Sequence, residues 1–396
     1  MPCAEAPNFG SQAPRPIVWL IGFFAFLNVY SMQSVLPLVM DDFGASPVQA
    51  GMTVGATILA IALLSPFMGM LSDALGRKVI LCSSLFALTL PTALIPLADN
   101  LGIVILLRFM QGLAVPGIVV VMMAYLAEEF RAGGMARMTT VYVGGTIMGG
   151  FSGRFLTGHL GHLFGWRGAF LTLAALNLIG AVLVLWKLPS SRCFTPNRNV
   201  RGALRSLANH LGNPRLIAAC AVGFCVLFSL AGTFTYVNLH LAAPPFNLSA
   251  SGLANVFCVY LMGVVVTPVA GRFIEQFGFQ RSLLSALALS ASGLLSTLYP
   301  SLLVIIVGLA VCAAGVFICQ SVAISFIAEN VSEGKSLAMG LYNMCYYAGG
   351  ALATWVAGLA YEGRGWLGSV MSIAAIQMVA ALIAVFGWQQ TGKTSD

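Results

Sequence analysis

The chain has 396 residues, of which 59% are hydrophobic and 8% are charged, and its formal net charge is +7. A soluble domain is typically about 45–50% apolar and about 25% charged, so this composition excludes an ordinary soluble fold. The positive charge does not indicate nucleic-acid binding, because the basic residues lie between apolar runs, where membrane proteins place them on one side of the bilayer.

About twelve apolar runs follow one another along the chain, most of them 19 to 25 residues long. A helix of about 20 residues crosses a hydrocarbon core of about 30 Å. We therefore predict an all-α membrane protein with twelve transmembrane helices, at 17–40, 50–71, 79–98, 103–127, 138–160, 168–188, 216–242, 252–274, 282–299, 302–328, 337–361 and 365–388.

The basic residues of the loops are sorted by side. If the chain crosses the membrane at each run, fifteen of the nineteen Lys and Arg residues lie on the side of the two termini, and only Arg167 and Arg364 lie in loops on the other. The segment from Lys187 to Arg215 carries six basic residues and no acidic residue. Because short cytoplasmic loops are enriched in Lys and Arg, both termini and this middle segment are predicted to be cytoplasmic.

The two halves of the sequence repeat one another. Gly149-Gly150 recurs as Gly349-Gly350, 200 positions later, in segments of similar pattern. Two six-helix halves around a central site are a recurrent transporter plan. We predict a cytoplasmic tail at 1–16, a first six-helix bundle at 17–188, a basic cytoplasmic linker at 189–215, a second bundle at 216–390 and a cytoplasmic tail at 391–396.

The strongest local motif lies between the second and third predicted helices. It reads Gly69-x-x-x-Asp73-x-x-Gly76-Arg77-Lys78. On a helix, residues 69, 73 and 76 share one face, and glycines on that face allow another helix to approach closely. A weaker copy, from Gly271 to Gly278 with Glu275 at the position of Asp73, follows the eighth predicted helix 202 positions later.

This motif resembles the signature of the major facilitator superfamily, and the resemblance covers about residues 17–388. It implies a fold of two pseudo-symmetric six-helix bundles that rock about a central cavity, with Asp73 and the basic residues after it forming a cytoplasmic gate. Ala74 stands where the family often has a basic residue. The resemblance further implies that helices one, four, seven and ten line the cavity, with helix eleven beside it.

Arg108-x-x-Gln111-Gly112 in the fourth predicted helix resembles a second pattern of the family. A guanidinium inside a membrane is costly and generally faces a polar cavity or a partner. Gln111 lies one turn further along, on the same side. The alternative is that Arg108 reaches the outer surface of the membrane with its long side chain.

A third motif contains Gly145, Gly149, Gly150, Gly153 and Arg154 in the fifth predicted helix. It resembles the family's antiporter motif, in which glycines at a spacing of four make a flat surface for the opposite half. Gly150 stands where proline is usual and Arg154 where glycine is usual, so this glycine face is interpreted as a packing surface.

Arg108 and Arg154 lie at similar predicted depth, and all twelve acidic residues lie at helix ends or in loops. Two buried cations without a membrane-embedded acid indicate an anion site. The alternative for Arg154 is a pairing with backbone carbonyls or with an acid of an outer loop.

Further polar side chains fall within the predicted helices and are candidates for contact with a substrate or a coupling ion: Asn28, Gln33, Tyr236, Asn238, Gln320, Asn343 and Tyr346. Amides and aromatic rings suit a solute that is partly apolar and partly hydrogen-bonding. Hydrogen bonding between helices is the alternative for each of them.

The sequence as a whole resembles bacterial drug or metabolite:proton antiporters of the arabinose-efflux-like group. We therefore expect proton-coupled efflux of a small organic solute from a bacterial cell through the inner membrane. The expected partners are this solute and the lipid bilayer, without nucleic acid, metal or cofactor, and the chain is expected to be a monomer. The alternatives are an organic-anion transporter, in either direction, that uses the buried arginines, and a membrane enzyme or sensor.

Overall fold

The computed structural model describes residues 14–130, 132–191, 212–331 and 335–388, and these residues form helices joined by short turns, without strands. The prediction of an all-α fold is confirmed. The helices are Arg15–Leu27, Leu36–Phe43, Pro47–Leu75, Arg77–Leu94, Leu101–Glu129, Ala132–Lys187, Pro214–Ala242, Ala250–Val256, Met262–Ser296, Leu302–Asn330 and Lys335–Gly387, with short 3-10 helices at Ser31–Val35, Ile95–Leu97 and Phe257–Leu261.

Three of these stretches are each two helices joined at a sharp turn. Ala132–Lys187 breaks at Gly165 (φ 72°), Met262–Ser296 at Gly278 (φ 74°), and Lys335–Gly387 at Arg364 and Gly365 (φ 59°). A positive φ costs glycine little, because it has no Cβ. A straight helix of about 50 residues would be about 75 Å long, far more than a bilayer is thick, so the reversal at each glycine makes two passes.

Separating the stretches at these turns gives twelve passes in the described residues. We number them α1 (15–43, interrupted by the 3-10 turn), α2 (47–75), α3 (77–97), α4 (101–129), α5 (132–164), α6 (166–187), α7 (214–242), α8 (250–277), α9 (279–296), α10 (302–330), α11 (335–363) and α12 (366–387). Without that separation, seven described helical stretches are long and apolar enough to span a membrane, or nine if each of two bent pairs counts as one span. Below, the near side is the side on which α1 begins, and the far side is the side on which it ends.

Local capping fixes where several passes begin. Ser46 and Gln49 form a reciprocal capping box at the start of α2, with Pro47 in the first turn. Asn213 accepts hydrogen bonds from the backbone N–H groups of Arg215 and Leu216 at the start of α7. Such caps satisfy donors that the first turn of a helix leaves free.

Glycines of α5 pack against α1 in the same half of the molecule. A Cβ on Gly149 would overlap the carbonyl oxygen of Phe23, and a Cβ on Gly145 or Gly153 would overlap other carbonyl oxygens of α1. The resemblance implied that this face meets the opposite half, and the structure corrects that orientation. Because glycines four residues apart repeat along one side of a helix, all three are directed at the same neighbour.

Gly349 shows that the second half repeats this arrangement. A Cβ on Gly349 of α11 would overlap the carbonyl oxygen of Phe224 in α7. The pair α11 and α7 therefore has the same close approach as the pair α5 and α1, at positions about 200 residues apart. This is the structural counterpart of the repeat in the sequence.

Candidate functional site

A cavity of about 360 Å³ lies at mid-depth and is lined by both halves. That volume falls in the range typical of sites for small organic molecules, about 300–1,000 Å³. The wall is mainly apolar and aromatic, and no acidic residue belongs to its described lining. The residues include Phe26, Tyr30, Thr146, Ile147, Gly150, Phe151 and Arg154 from the first half, and Leu230, Tyr260, Phe317, Gln320, Ser321, Ile324, Tyr346 and Tyr347 from the second.

On the far side of the cavity the two halves are joined by hydrogen bonds. Nε2 of His159 in α5 lies 3.1 Å from Oδ1 of Asn255 in α8. The backbone N–H of Val48 in α2 donates to Oε1 of Glu362 at the end of α11, at 3.1 Å. These contacts hold the far ends of the halves together. On the near side the lining extends along α10 as far as Ile324.

Arg154 is the only arginine or lysine among the described residues of the lining, and its guanidinium is held on two sides. Nε donates to Oε1 of Gln33 at 2.7 Å, and Nη1 donates to the carbonyl oxygen of Gly150 at 2.8 Å. The carbon of the guanidinium lies 4.3 Å from the ring centroid of Tyr30 and 4.1 Å from that of Tyr260. A cation between two aromatic faces is stabilised without being neutralised.

Arg108 is completely buried but does not belong to the described lining of the cavity. Its guanidinium donates to the carbonyl oxygens of Asn28 at 2.8 Å, Val29 at 2.7 Å and Thr53 at 3.0 Å, and to Oε1 of Gln111 at 2.6 Å. The first segment of α1 ends at residue 27, and the break frees carbonyl groups that lipid cannot satisfy. Arg108 supplies their donors, so its side chain does not extend to the membrane surface.

The prediction that two neighbouring arginines face one site is therefore wrong, because only Arg154 belongs to the described lining of the cavity. Arg108 directs its donors to the break in α1, whereas Arg154 faces the cavity. The sequence predicts a similar depth in the membrane for both arginines, but this similarity does not reveal which neighbours each side chain faces.

The near-side motif forms an ion-pair network between α2, α3 and α4. Arg77 at the start of α3 is 7% exposed, and its Nη2 lies 2.5 Å from both Oδ1 of Asp73 and Oε1 of Glu128. Nε of Arg77 also donates to Glu128, and Nη1 donates to the hydroxyl of Ser72. One cation shared by two carboxylates at the end of three helices fixes their relative positions.

The other members of this motif shape the turn. Gly76 has a φ of 99° and separates α2 from α3. Lys78 is partly exposed and takes part in no ion pair given by the described residues. A Cβ on Gly69 would have no heavy atom within 4 Å, so this face of α2 is open in the present arrangement of the halves.

Three of the residues predicted to contact substrate line the cavity, namely Arg154, Gln320 and Tyr346. Asn343 is partly buried on α11 and lies outside the described lining. Gln33 lies behind Arg154, and its Nε2 donates to Oγ1 of Thr235 in α7 at 3.1 Å.

The remaining predicted residues form hydrogen bonds within the helical bundles. The amides of Asn28 and Asn177 pair reciprocally, at 3.0 and 3.1 Å. The hydroxyl of Tyr236 donates to the carbonyl oxygen of Thr354, and Asn238 donates to the carbonyl oxygen four residues earlier. Gln111 accepts from Arg108. These side chains lie outside the described lining of the cavity and form hydrogen bonds between or within helices. This is the alternative to substrate contact for Asn28, Tyr236 and Asn238.

Apart from Tyr346, the aromatic residues of the cavity wall were not predicted from the sequence. Tyr30 adjoins the 3-10 turn of α1, Tyr260 lies in that of α8, and Phe317 packs against Tyr260 with ring centroids 5.9 Å apart. Two of these aromatic residues, Tyr30 and Tyr260, lie at 3-10 turns that interrupt otherwise apolar helices. The turns could not be predicted, because both runs are continuously apolar in the sequence. Among the described residues, no group of three or more His, Cys, Asp or Glu side chains could hold a metal ion.

Comparison with known proteins gives a consistent result. The family model described as the Major Facilitator Superfamily matches residues 18–354. The chain is 31% identical to the inner membrane transport protein YnfM of Escherichia coli (strain K12), over 91% of this chain and 87% of that protein. It is 23% identical to the multi-drug resistance efflux pump PmrA of Streptococcus pneumoniae (serotype 4), over 68% of this chain and 64% of PmrA.

A solved structure has the same fold. A bacterial homologue of the human lysosomal transporter Spinster, in an inward-facing and occupied conformation, superposes with a TM-score of 0.78, at 15% identity, over 94% of this chain and 96% of that one. The family match, the identity to YnfM and the shared architecture agree. The chain is a multi-pass membrane protein that belongs to the major facilitator superfamily, a family of transporters rather than enzymes.

Proposed function

We propose that this transporter exports a small, partly apolar organic solute through a bacterial inner membrane by rocking of its two six-helix halves. The observation that carries the proposal is the central cavity, which both halves line and which far-side hydrogen bonds separate from the far ends of the helices. A mainly apolar wall with a few polar groups suits an amphipathic solute. A site between two moving halves is reached from either side in turn.

Export coupled to proton entry is the direction that we propose. The relationship to PmrA, which is named a multi-drug resistance efflux pump, supports export. The described cavity wall has no acidic residue. We therefore place the proton-carrying group outside the wall, among the carboxylates at the helix ends.

The test uses everted membrane vesicles from cells that produce the chain. Addition of a transported solute should dissipate a preformed pH gradient, and the solute should accumulate inside the vesicles until an uncoupler is added. The control is a vesicle preparation with Asp73→Asn, expressed at the same level. Accumulation that survives the uncoupler would contradict proton coupling, and accumulation only in right-side-out vesicles would contradict export.

The near side is proposed to be cytoplasmic. The sequence assigns fifteen basic residues to the side of the two termini and two to loops on the other side, and this asymmetry supports the orientation. Reporter fusions at Met1, Val200 and Asp396, which lie outside the described residues, should all give a cytoplasmic signal. An external signal at any one of them would contradict the orientation.

A further inference from the structure

Arg154 keeps an unused hydrogen-bond donor in the wall of the cavity. The residue is 1% exposed, and while Nε and Nη1 have acceptors, Nη2 has none in the described residues. A buried donor without a partner costs about 1–3 kcal/mol, and more when it is charged. The arrangement is therefore incomplete without a group that accepts from Nη2.

The charge of Arg154 is also unpaired. Ion pairs observed among the described residues include Arg77 with Asp73 and Glu128, and Arg167 with Asp42, but none is observed for Arg154. The groups around Arg154 are instead neutral: an amide, a backbone carbonyl and the rings of Tyr30, Tyr260 and Phe257. The ring centroid of Phe257 lies 5.1 Å from the guanidinium carbon. These contacts hold the cation in place and leave its charge uncompensated.

We propose that the transported solute is a small organic anion whose carboxylate, or a comparable oxyanion, accepts a hydrogen bond from Nη2 of Arg154. The apolar body of the solute lies against the aromatic part of the wall, formed by Phe26, Phe151, Phe317, Tyr346 and Tyr347. This inference rests on the proposed transport function and assigns its substrate class.

The same geometry limits the number of negative charges that the solute carries. Arg108 donates hydrogen bonds to three backbone carbonyls and to Gln111, so it does not provide a second positive group in the cavity. A single buried cation neutralises a single anionic group. A second carboxylate would enter an apolar wall without a partner, at a cost of several kcal/mol. The solute is therefore a monoanion.

The test compares carboxylates with neutral analogues of nearly the same shape. Phenylacetate, naphthoate and octanoate, the matching primary amides and the matching amines are titrated into the purified full-length chain at neutral pH by calorimetry. At least one carboxylate should bind about tenfold or more tightly than its amide, and its amine should bind more weakly still. Equal binding of acid and amide, preference for an amine, or no binding by any carboxylate would overturn the proposal.

Variants of Arg154 test whether its guanidinium is the positive group that binds the carboxylate. Arg154→Gln should weaken carboxylate binding by about tenfold or more and leave amide binding unchanged, while Arg154→Lys should keep part of the preference, because it keeps a point charge. Arg137→Gln, at an exposed arginine of the same helix, is the matched control and should bind as the unchanged chain does. Carboxylate binding that is unaffected by Arg154→Gln would overturn the assignment. The acid-to-amide comparison in the unchanged chain remains decisive if this variant does not fold.

Transport assays separate this inference from the proposed function. If vesicles accumulate a neutral or cationic solute and Arg154→Gln does so equally, the transport function stands and the anionic class fails. If carboxylates bind through Arg154 but no solute moves in either direction, the anion site stands and the transport function fails.

Discussion

Gln33 and Thr235 form a hydrogen bond from one half of the molecule to the other, with Nε2 of Gln33 3.1 Å from Oγ1 of Thr235. The amide oxygen of the same Gln33 accepts from Nε of Arg154 at 2.7 Å. One side chain thus connects the cation of the cavity wall with the contact between the halves. Separation of the halves at this depth has to break the Gln33–Thr235 bond, so binding at Arg154 and movement of the halves share a residue.

Replacing Gln33 by glutamate should abolish the anion preference. Gln33→Glu places a carboxylate beside Arg154, where an ion pair in a low-dielectric site is strong and competes with an external anion. We expect the affinity for a bound carboxylate to fall by about tenfold or more, measured by calorimetry on protein with an unchanged unfolding temperature. Thr235→Val, which removes this one hydrogen bond between the halves and leaves Arg154 untouched, is the control and should retain carboxylate binding. Equal carboxylate affinity in Gln33→Glu and the unchanged chain would contradict this prediction.

Replacing Arg108 should destabilise the fold more than replacing Arg154. Arg108→Ala removes a donor from three buried carbonyl oxygens, those of Asn28 and Val29 at the break in α1 and that of Thr53 in α2. A buried carbonyl left without any donor costs about 1–3 kcal/mol. Arg108→Lys should rescue little, because an ammonium cannot reproduce the fork of a guanidinium. We expect lower yields of folded protein and a lower unfolding temperature in detergent for both variants, with loss of transport as a consequence. Arg154→Gln is the comparison, and a smaller loss of stability in the Arg108 variants than in Arg154→Gln would show that these carbonyl contacts are dispensable.

The near-side ion pairs should be needed for transport but not for insertion. Asp73→Asn removes one of the two carboxylates that share Arg77, and we expect a severe loss of transport with near-normal expression. Glu275→Gln is the matched control at the corresponding position of the second half, where the side chain is exposed and forms no ion pair within the described residues. Transport rates in vesicles, normalised to the amount of protein, give the comparison. Equal rates for the two variants would reduce the motif to a membrane anchor.

Gly69→Leu should fold normally and still cripple transport. A side chain at this position has open space in the present arrangement. When the near-side ends of the halves approach one another during transport, a leucine would occupy the space that another helix needs. Gly271→Leu, at the corresponding position in the second half, is the control because a Cβ there also meets nothing within 4 Å. The unfolding temperature and the transport rate of both variants would be measured, and unimpaired transport in Gly69→Leu would contradict close approach at this site.

Helix packing in the first half should depend on Gly149 and not on its neighbour Gly144. A methyl group on Gly149 would overlap the carbonyl oxygen of Phe23, so α5 and α1 would have to move apart. A methyl group on Gly144 would lie 3.9 Å from the indole nitrogen of Trp19, an ordinary contact. Gly149→Ala should therefore lower the yield of folded protein and its unfolding temperature, while Gly144→Ala should not. Similar thermal stability of the two variants would contradict the close packing of α1 and α5.

The sequence predicted the helices of this protein well. Each pass is apolar for about the length that a bilayer requires, and this property is local, so it can be read without knowing the neighbours. The breaks at Gly165 and Gly278 fall between predicted helices for the same reason, whereas the break at Arg364 and Gly365 includes the first residue of the predicted helix 365–388. The repeat of glycine patterns about 200 residues apart also appears in the fold, as the matching contacts of Gly149 and Gly349.

The tertiary structure decided what each buried polar residue faces. Arg108 and Arg154 look alike in the sequence, since each is an arginine inside an apolar run. The interruption of α1 exposes carbonyl groups to Arg108. The rotation of α5 turns Gly145, Gly149 and Gly153 toward α1, and it turns Arg154 toward the cavity. Hydropathy determines that a segment crosses the membrane. Which side of that helix meets a neighbour, and which side meets a cavity, depends on contacts between residues far apart in the chain, and these are fixed only when all the helices pack together.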